Sequence, residues 1–471
     1  MPRSFSAKPA AGPAASHAAI LLISGLALRA WLIVRYPPIF GGDAVTRLAN
    51  RERILILHQL PALQASIHYL SRISTDPLLI RCWMALLGAV AGVGFYYLAT
   101  DLMDRAAAFW AALFFVANPL LLAYSIVPYQ EILMLAALAF AFHFFFTENL
   151  PAASLCLAFA CLTRYEAWAA CPVLVVAAGI GHPGRPIEWL RAGALFGWAP
   201  LAWVLYNAGL SPAGTSVLTT SISALRLERY VYLVWITVKN TPLPELLLAG
   251  LGLWIVWKER WLRKPRFAVL AAFLVIFLVG ILFSAHGSPL GPERFVSARE
   301  AHLPIAATIL LAGLGLGWSG WRSGLWTRRV QLALAAAGVA LGIFTAARFV
   351  AQAAAEPQVQ LAYRLARYLD ATLRPGDRAL VLAKAMLRDA PAGIDTSAED
   401  YQRTLIQSRL GRDRLLPAPP PGKLPEWIAV WSDFSPADAG EARVARLVGA
   451  VAPVQTFRAG ALSVRVYRIP P

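Results

Sequence analysis

The chain has 471 residues, of which 58% are apolar and only 15% charged, against roughly 45–50% apolar in an ordinary soluble protein. Its 43 basic and 26 acidic residues leave a formal charge of +17, and Arg supplies 37 of the basic side chains. That balance excludes a soluble cytosolic enzyme. The basic residues lie between long apolar runs, so they read as membrane-flanking charge rather than as a nucleic-acid surface.

Residues 1–16 are Ala/Pro-rich with few anchors and are expected to form a disordered cytoplasmic tail. Crossing the hydrocarbon takes roughly 20 mostly apolar helical residues. Such spans are expected at about 17–36, 78–100, 106–126, 130–147, 191–209, 243–257, 267–284, 301–318 and 330–350. No small-residue cleavage site follows the first run, so it reads as a span and not a signal peptide. Arg29 lies inside that span, where a long side chain can snorkel.

The stretch 151–181 fits one long helix or a hairpin of two short ones, broken near Thr163-Arg164-Tyr165-Glu166. Charge decides between them. The densest basic links, Lys258 to Arg266 and Trp321 to Arg329, belong on the cytoplasmic side with Arg3 and Lys8. Only the hairpin places all three on one face, giving about eleven spans over 17–350. The segments 37–77, 126–131, 210–242 and 285–300 then lie outside.

Residues 351–471 also fall outside. A helical pattern from Leu361 to Leu373 and strand-like runs at Ala379–Leu382 and Trp427–Val430 predict a small α/β domain. It closes with a hairpin, 454–457 against 462–469, turned at Ala459-Gly460. Cys82, Cys156, Cys161 and Cys171 sit in or beside apolar runs, so no disulfide framework is expected outside. There is no repeated unit, which disfavours the transporter folds built from duplicated halves.

Four constellations carry candidate chemistry. Asp43 follows Pro37-Pro38-Ile39-Phe40-Gly41-Gly42, where prolines stop the first helix and glycines permit positive φ. It suits a reactive carboxylate on a tight turn, and equally an N-cap for a helix over 44–60. The following stretch to Ser74 mixes Leu and Ile with Arg47, Arg51, Arg53 and Arg72, a pattern for interfacial helices in the first outer loop.

Glu131 opens the fourth span on the same membrane face. An acid there is favoured by the helix dipole. Together with Asp43 it could serve as base and acceptor-orienting group, or hold a divalent cation. Arg164 and Glu166 lie between two short apolar helices, where ionisable groups are functional by default, or they simply pair with each other. Arg294 and Arg299, before the tenth span, offer planar forks for phosphate oxygens, or pair with Glu293 and Glu300. His302 follows them, and with His58, His68 and His286 it lies outside, but no HxxxH or HExxH spacing builds a zinc site. No P-loop, GxSxG or CxxC pattern occurs.

From Arg81 to Phe142 the chain resembles the second to fourth spans of GT-C-type membrane glycosyltransferases. The likeness is to the family 39, protein-mannosyltransferase-like enzymes and their bacterial aminoarabinose- and galacturonosyltransferase relatives. It is carried by Arg81 with Leu87-Gly88, Tyr97 four residues before Asp101, Asn118-Pro119 and Ser125, and further on by Leu162-Thr163-Arg164-Tyr165-Glu166. It covers about 20–350.

The resemblance implies a mainly α, polytopic inner-membrane enzyme with a cytoplasmic N-terminus and a periplasmic C-terminal domain. It implies transfer of a sugar from a polyprenyl-phosphate carrier to a lipid, glycan or protein acceptor, usually with inversion and without nucleic acid or nucleotide. Asp43 takes the place of the family's base and Glu131 that of a second acid. Arg294 and Arg299 take that of the phosphate-binding residues, with Arg164, Glu166 and His302 as further donor-phosphate or acceptor contacts. Two departures stand out: Asp43 has no adjacent acid, unlike the eukaryotic protein mannosyltransferases, and no WWDYG-like segment of an oligosaccharyltransferase occurs.

On this reading the turn after the first span and the loop before the tenth meet in one outer-leaflet pocket. A transporter or lipid flippase is the rival class. It would place its ionisable residues near the midplane, whereas here, Arg29 apart, they cluster at span ends.

Overall fold

The computed structural model describes residues 14–55, 60–180, 184–210, 228–283, 301–317, 325–374, 376–382, 401–410, 414–416, 425–432 and 439–469. Among them the chain forms two compact units. The first takes in the described residues within Met1–Leu32, Leu57–Leu63 and Trp83–Arg348, and the second those within Ile33–Ile56, Gln64–Cys82 and Phe349–Pro471.

Helices dominate, and they follow the apolar runs. In chain order they are α1 (Ala14–Arg35), α2 (Gly42–Ala49), α3 (Pro61–Ile73), α4 (Pro77–Thr100), α5 (Arg105–Ala117), α6 (Pro119–Tyr124), α7 (Gln130–Phe146), α8 (Leu150–Cys161), α9 (Ala170–Ile180) and α10 (Pro186–Leu210). After these come α11 (Glu228–Lys239), α12 (Leu243–Lys258), α13 (Pro265–Phe283), α14 (His302–Gly317) and α15 (Leu325–Ala355). Among the described residues, the stretches Ala15–Arg35, Pro77–Thr100 and Arg329–Ala355 are long and apolar enough to cross a membrane. Several other apolar helices are shorter, among them α5, α7 and α8. Many helices point large apolar side chains outward, including Ile23, Val34, Leu155, Ile180, Leu201, Leu253, Val275 and Phe344, a surface suited to lipid rather than water.

The expected hairpin at 151–181 is present, as α8 and α9 joined by a short 3-10 turn at Tyr165–Ala169. The run read as one span at 106–126 is two helices. Asn118 divides them because its carboxamide oxygen accepts the N–H groups of Leu120 and Leu121, capping α6, with Pro119 at the first position.

Arg29 does not snorkel. It is fully buried in the first unit, donating Nε to Ser125 Oγ at 2.6 Å and Nη1 to the Gly25 carbonyl at 3.1 Å. A Cβ at Gly88 would overlap Arg29 Nε and Ser125 Cβ, so the glycine makes the room that this cation occupies. Helices α12 and α14 approach as closely. A Cβ at Gly252 would strike the Leu311 carbonyl and one at Gly315 the Leu248 carbonyl, the small-residue packing that lets backbones meet where lipid offers no hydrophobic drive.

The second unit contains the chain after α1, most of α3 and the C-terminal region. There α16 (Pro357–Thr372), α17 (Tyr401–Leu410) and α18 (Ala439–Gly449) accompany five strands: β1 (Ala379–Leu382), β2 (Leu415–Leu416), β3 (Trp427–Trp431), β4 (Gln455–Ala459) and β5 (Leu462–Arg468). The sheet order is β2-β1-β3-β5-β4. The β1 pairings are parallel, and those of β5 with β3 and β4 antiparallel. The terminal hairpin turns at Gly460, whose φ of 58° suits glycine. Leu380, Leu382, Ile428, Val444, Val448 and Tyr467 form the core of this α/β unit.

Candidate functional site

Helix lengths place the first unit's charges. From Glu131 to the end of α7 the helix rises about 22 Å, and α8 returns about 16 Å from Leu150 to Cys161, at 1.5 Å per residue, before the turn at 162–164. The turn between α7 and α8 is tight: Glu148 adopts φ 64°, and Asn149 accepts the Ala152 N–H to cap α8. α8 and the turn that follows it together bring Arg164 back to Glu131.

They meet. Arg164 Nη1 donates to Glu131 Oε1 at 2.5 Å, and its Nε donates to both Glu166 oxygens at 2.9 and 3.0 Å, with Nη2 also on Glu166. The backbone aids this. Arg164 is extended (φ −148°, ψ 146°) after Thr163, and Glu166 follows at once in the 3-10 turn. One guanidinium thus joins two carboxylates. The sequence offered a local Arg164–Glu166 pairing. The link to Glu131, 33 residues away, was not anticipated.

Exposure grades across the trio, with side chains 1% exposed at Glu131, 10% at Arg164 and 18% at Glu166. Burial opposes charge on Glu166, but the Arg164 guanidinium overrides it, helped by His302, and holds the carboxyl at about 2. His302, the first residue of α14, is fully buried. Four predicted residues, Glu131, Arg164, Glu166 and His302, are therefore one cluster.

Aromatic rings flank it in sequence and space. Tyr165 stacks edge-on against Trp168 at 5.2 Å and accepts a bond from Trp203 Nε1 at 3.3 Å. Tyr124 lies 4.6 Å from Tyr129, which precedes α7. The Ala62 N–H donates to the Leu162 carbonyl at 3.0 Å, tying the start of α3 to the turn after α8.

Asp43 belongs to the second unit. It is not an N-cap. Gly41, at φ 88°, precedes α2, and Asp43 sits in the first turn, half-buried. The helix also ends at Ala49 instead of continuing to 60, because Asn50 turns back to bond the Thr46 carbonyl. Arg47 lies one turn after Asp43 on the same helix and is buried. Gln64 in α3 holds the end of α2 through the Arg47 and Asn50 carbonyls, at 3.2 and 3.0 Å. Arg47 is thus a buried cation and not interfacial charge, at the i, i+4 spacing from Asp43.

Arg294 and Arg299 lie outside the described residues. Among the described residues no three His, Cys, Asp or Glu side chains are grouped to hold a metal ion. Glu245 carries no local signal in the sequence beyond its place at the start of an apolar run. It is fully buried in the first turn of α12 beside Gly338, and neither oxygen has a hydrogen bond among the described residues.

No family model matches the chain, and no curated protein sequence does. Solved structures do. ArnT from Cupriavidus metallidurans superposes with a TM-score of 0.62 in the apo state at 13% identity, covering 96% of this chain and 98% of that one. The same protein bound to undecaprenyl phosphate gives 0.60 at 12% identity, over 96% and 97%. The oligosaccharyltransferase AglB from Archaeoglobus fulgidus, in complex with an inhibitory peptide and a dolichol-phosphate, gives 0.51 at 11% identity, over 88% of this chain and 69% of that one.

The chain has the GT-C fold.

Within the GT-C fold, the residues that carried the resemblance have structural work. Arg81 donates to the Tyr36 and Pro37 carbonyls at 3.0 and 2.9 Å, fastening the end of α1. Asp101 meets His143 Nδ1 at 2.8 Å, Tyr97 packs on the same imidazole at 5.3 Å, and Arg266 binds the Asp101 carbonyl at 3.0 Å. Gly88 and Ser125 accommodate Arg29, and Asn118 also donates to the Asn240 carbonyl at 3.1 Å.

Proposed function

We propose that this chain is an integral-membrane glycosyltransferase that moves a sugar, hexose or pentose, from a polyprenyl-phosphate carrier to a lipid, glycan or protein acceptor outside the inner membrane. The observation that carries the reading is the fold likeness to ArnT with undecaprenyl phosphate bound, over nearly the full length of both chains. In this reading the chain crosses the membrane about eleven times, with the N-terminus cytoplasmic and the site at the outer ends of the helices, where a carrier's apolar tail can remain in lipid.

In this reading the acceptor hydroxyl attacks the anomeric carbon while Asp43 accepts its proton. The bond from that carbon to the phosphate oxygen breaks, and polyprenyl phosphate leaves with the electron pair. Arg294 and Arg299 offset the charge that develops on it. Glu131 is the supporting acid. Arg164 commits its fork to two carboxylates, which fits it, with Glu166 and His302, for the acceptor side rather than for phosphate.

The test is transfer in detergent, with no membrane gradient, from undecaprenyl-phosphate sugars carrying a labelled pentose or hexose. Wild-type protein should release undecaprenyl phosphate and label an acceptor. Asp43→Asn should insert and fold but show no transfer. Full transfer by that variant would remove the base. Gradient-dependent movement of the carrier in proteoliposomes, without bond cleavage, would favour the flippase instead.

A further inference from the structure

The second unit contains a cavity of about 180 Å³, smaller than a drug-sized ligand site and of a size for a small polar group. Nothing in the proposed chemistry uses it. Ile33 and Pro37, where α1 ends, and Pro77 and Leu78, where α4 begins, form part of its wall. Both helices include stretches long and apolar enough to cross a membrane, so the cavity lies at the level where hydrocarbon gives way to headgroups. Two C-terminal helices complete it, α16 through Tyr363 and α17 through Leu405 and Arg409.

Its charges are distinct in kind. Arg81 is buried, and its two terminal nitrogens are directed to the Tyr36 and Pro37 carbonyls past the C-terminus of α1, where the helix dipole is negative. Arg409 differs. Its Nε is buried with no hydrogen-bond partner among the described residues, while its guanidinium carbon stands 5.5 Å from the Tyr363 ring centroid. A desolvated donor of this kind is costly unless an acceptor reaches it. Asp76 lines the cavity from an exposed position, using Oδ1 to cap the Leu78 N–H at 2.9 Å.

We propose that this cavity binds the phosphoethanolamine headgroup of a membrane phospholipid. The phosphodiester accepts from Arg409, the ammonium meets Asp76, and the glycerol end leaves along Leu78 and Ile33 towards the acyl region. A phosphomonoester or a purely anionic headgroup would place its negative charge against Asp76 with nothing in return. The proposal stands apart from the transferase reading, since it needs no sugar donor.

Full-length protein in detergent is titrated with dioleoyl-phosphatidylethanolamine, with dioleoyl-phosphatidylglycerol and with soluble glycerophosphoethanolamine. Retained lipid is read by native mass spectrometry and stability by thermal unfolding. Phosphatidylethanolamine should be retained in preference and raise the unfolding temperature, with glycerophosphoethanolamine a weak competitor. Arg409→Gln should weaken retention by roughly tenfold, the loss of one charge-assisted hydrogen bond. Asp76→Asn keeps the helix cap and should bring the two phospholipids to equal retention.

Equal retention by wild-type protein, or unchanged preference in both variants, overturns the site. Tighter binding of glycerophosphoethanolamine than of the lipid overturns its assignment to a membrane ligand.

Discussion

Replacing Arg164 with Gln removes the cation that Glu131 and Glu166 share. At Glu131 the side chain is only 1% exposed, so water cannot take over the lost charge compensation. Leaving a buried charge without its partner costs about 3–5 kcal/mol. The alternative relief is to take up one proton between the two carboxylates. From an ordinary carboxyl pKa of about 4.3, that costs roughly 3.7 kcal/mol at pH 7 and roughly 1.6 at pH 5.5. The two routes cost about the same at neutral pH and diverge in acid.

Arg164→Gln is therefore expected to lose about 3–4 kcal/mol at pH 7 and to recover about half of that by pH 5.5. Adding Glu131→Gln removes one of the opposed charges and should restore much of the loss, a non-additivity that a double-mutant cycle reads directly. The assay is unfolding of the purified protein in detergent across pH, for the four members of the cycle. A variant as stable as wild type at pH 7, or a deficit independent of pH with no rescue in the double variant, would refute the shared-cation reasoning.

Other outcomes follow from the same contacts. Glu166→Gln should lower stability at neutral pH by ~3 kcal/mol at most. Because the fold holds that carboxyl at about 2 against an ordinary 4.5, its contribution is complete above about 4.5 and disappears as pH falls towards 2, so the difference from wild type should shrink on acidification in thermal melts. Gly88→Ala forces a methyl into Arg29 and Ser125 and should cost about 1–3 kcal/mol, seen as reduced yield of folded protein and a lower melting temperature. Glu245→Met gives up no hydrogen bond among the described residues and should be neutral or stabilising by about 1–3 kcal/mol, whereas a large loss in the same melts would mean the carboxyl has a task.

The helices were legible because each apolar run is bounded by Pro, Gly or charge, and the C-terminal strands because their alternation and the Ala459-Gly460 turn are local. What escaped depended on choices that local chemistry leaves open. Gly41-Gly42-Asp43 permits either a capping aspartate or one inside the first turn, and the positive φ of Gly41 selects the second. Asn50 ends α2 by bonding its own helix, a stop that the Leu and Ile spacing up to residue 60 conceals. Arg29 looked able to snorkel because its partners, Gly88 and Ser125, arrive from distant segments. The meeting of Glu131 with Arg164 needed α7, α8 and the turn at 162–164 to be read together.

A likeness that identifies the fold can still say little about the substrate, and the reason is visible in these contacts. Arg81, Gly88, Asn118, Ser125 and the Tyr97/Asp101 pair hold helix ends or make room for a buried cation. Such tasks depend on the architecture and are indifferent to which sugar or acceptor is used. A likeness in fold at 13% identity therefore leaves the residues around the cluster unspecified. Exchanging Tyr165 or Trp203, whose rings pack next to the cluster, should accordingly alter the choice of acceptor and leave melting temperature nearly unchanged. Asn118→Ala should do the reverse, losing about 1 kcal/mol with its cap while sparing acceptor preference. If acceptor preference followed Asn118 and ignored Tyr165 and Trp203, this division between scaffold and selectivity would be wrong.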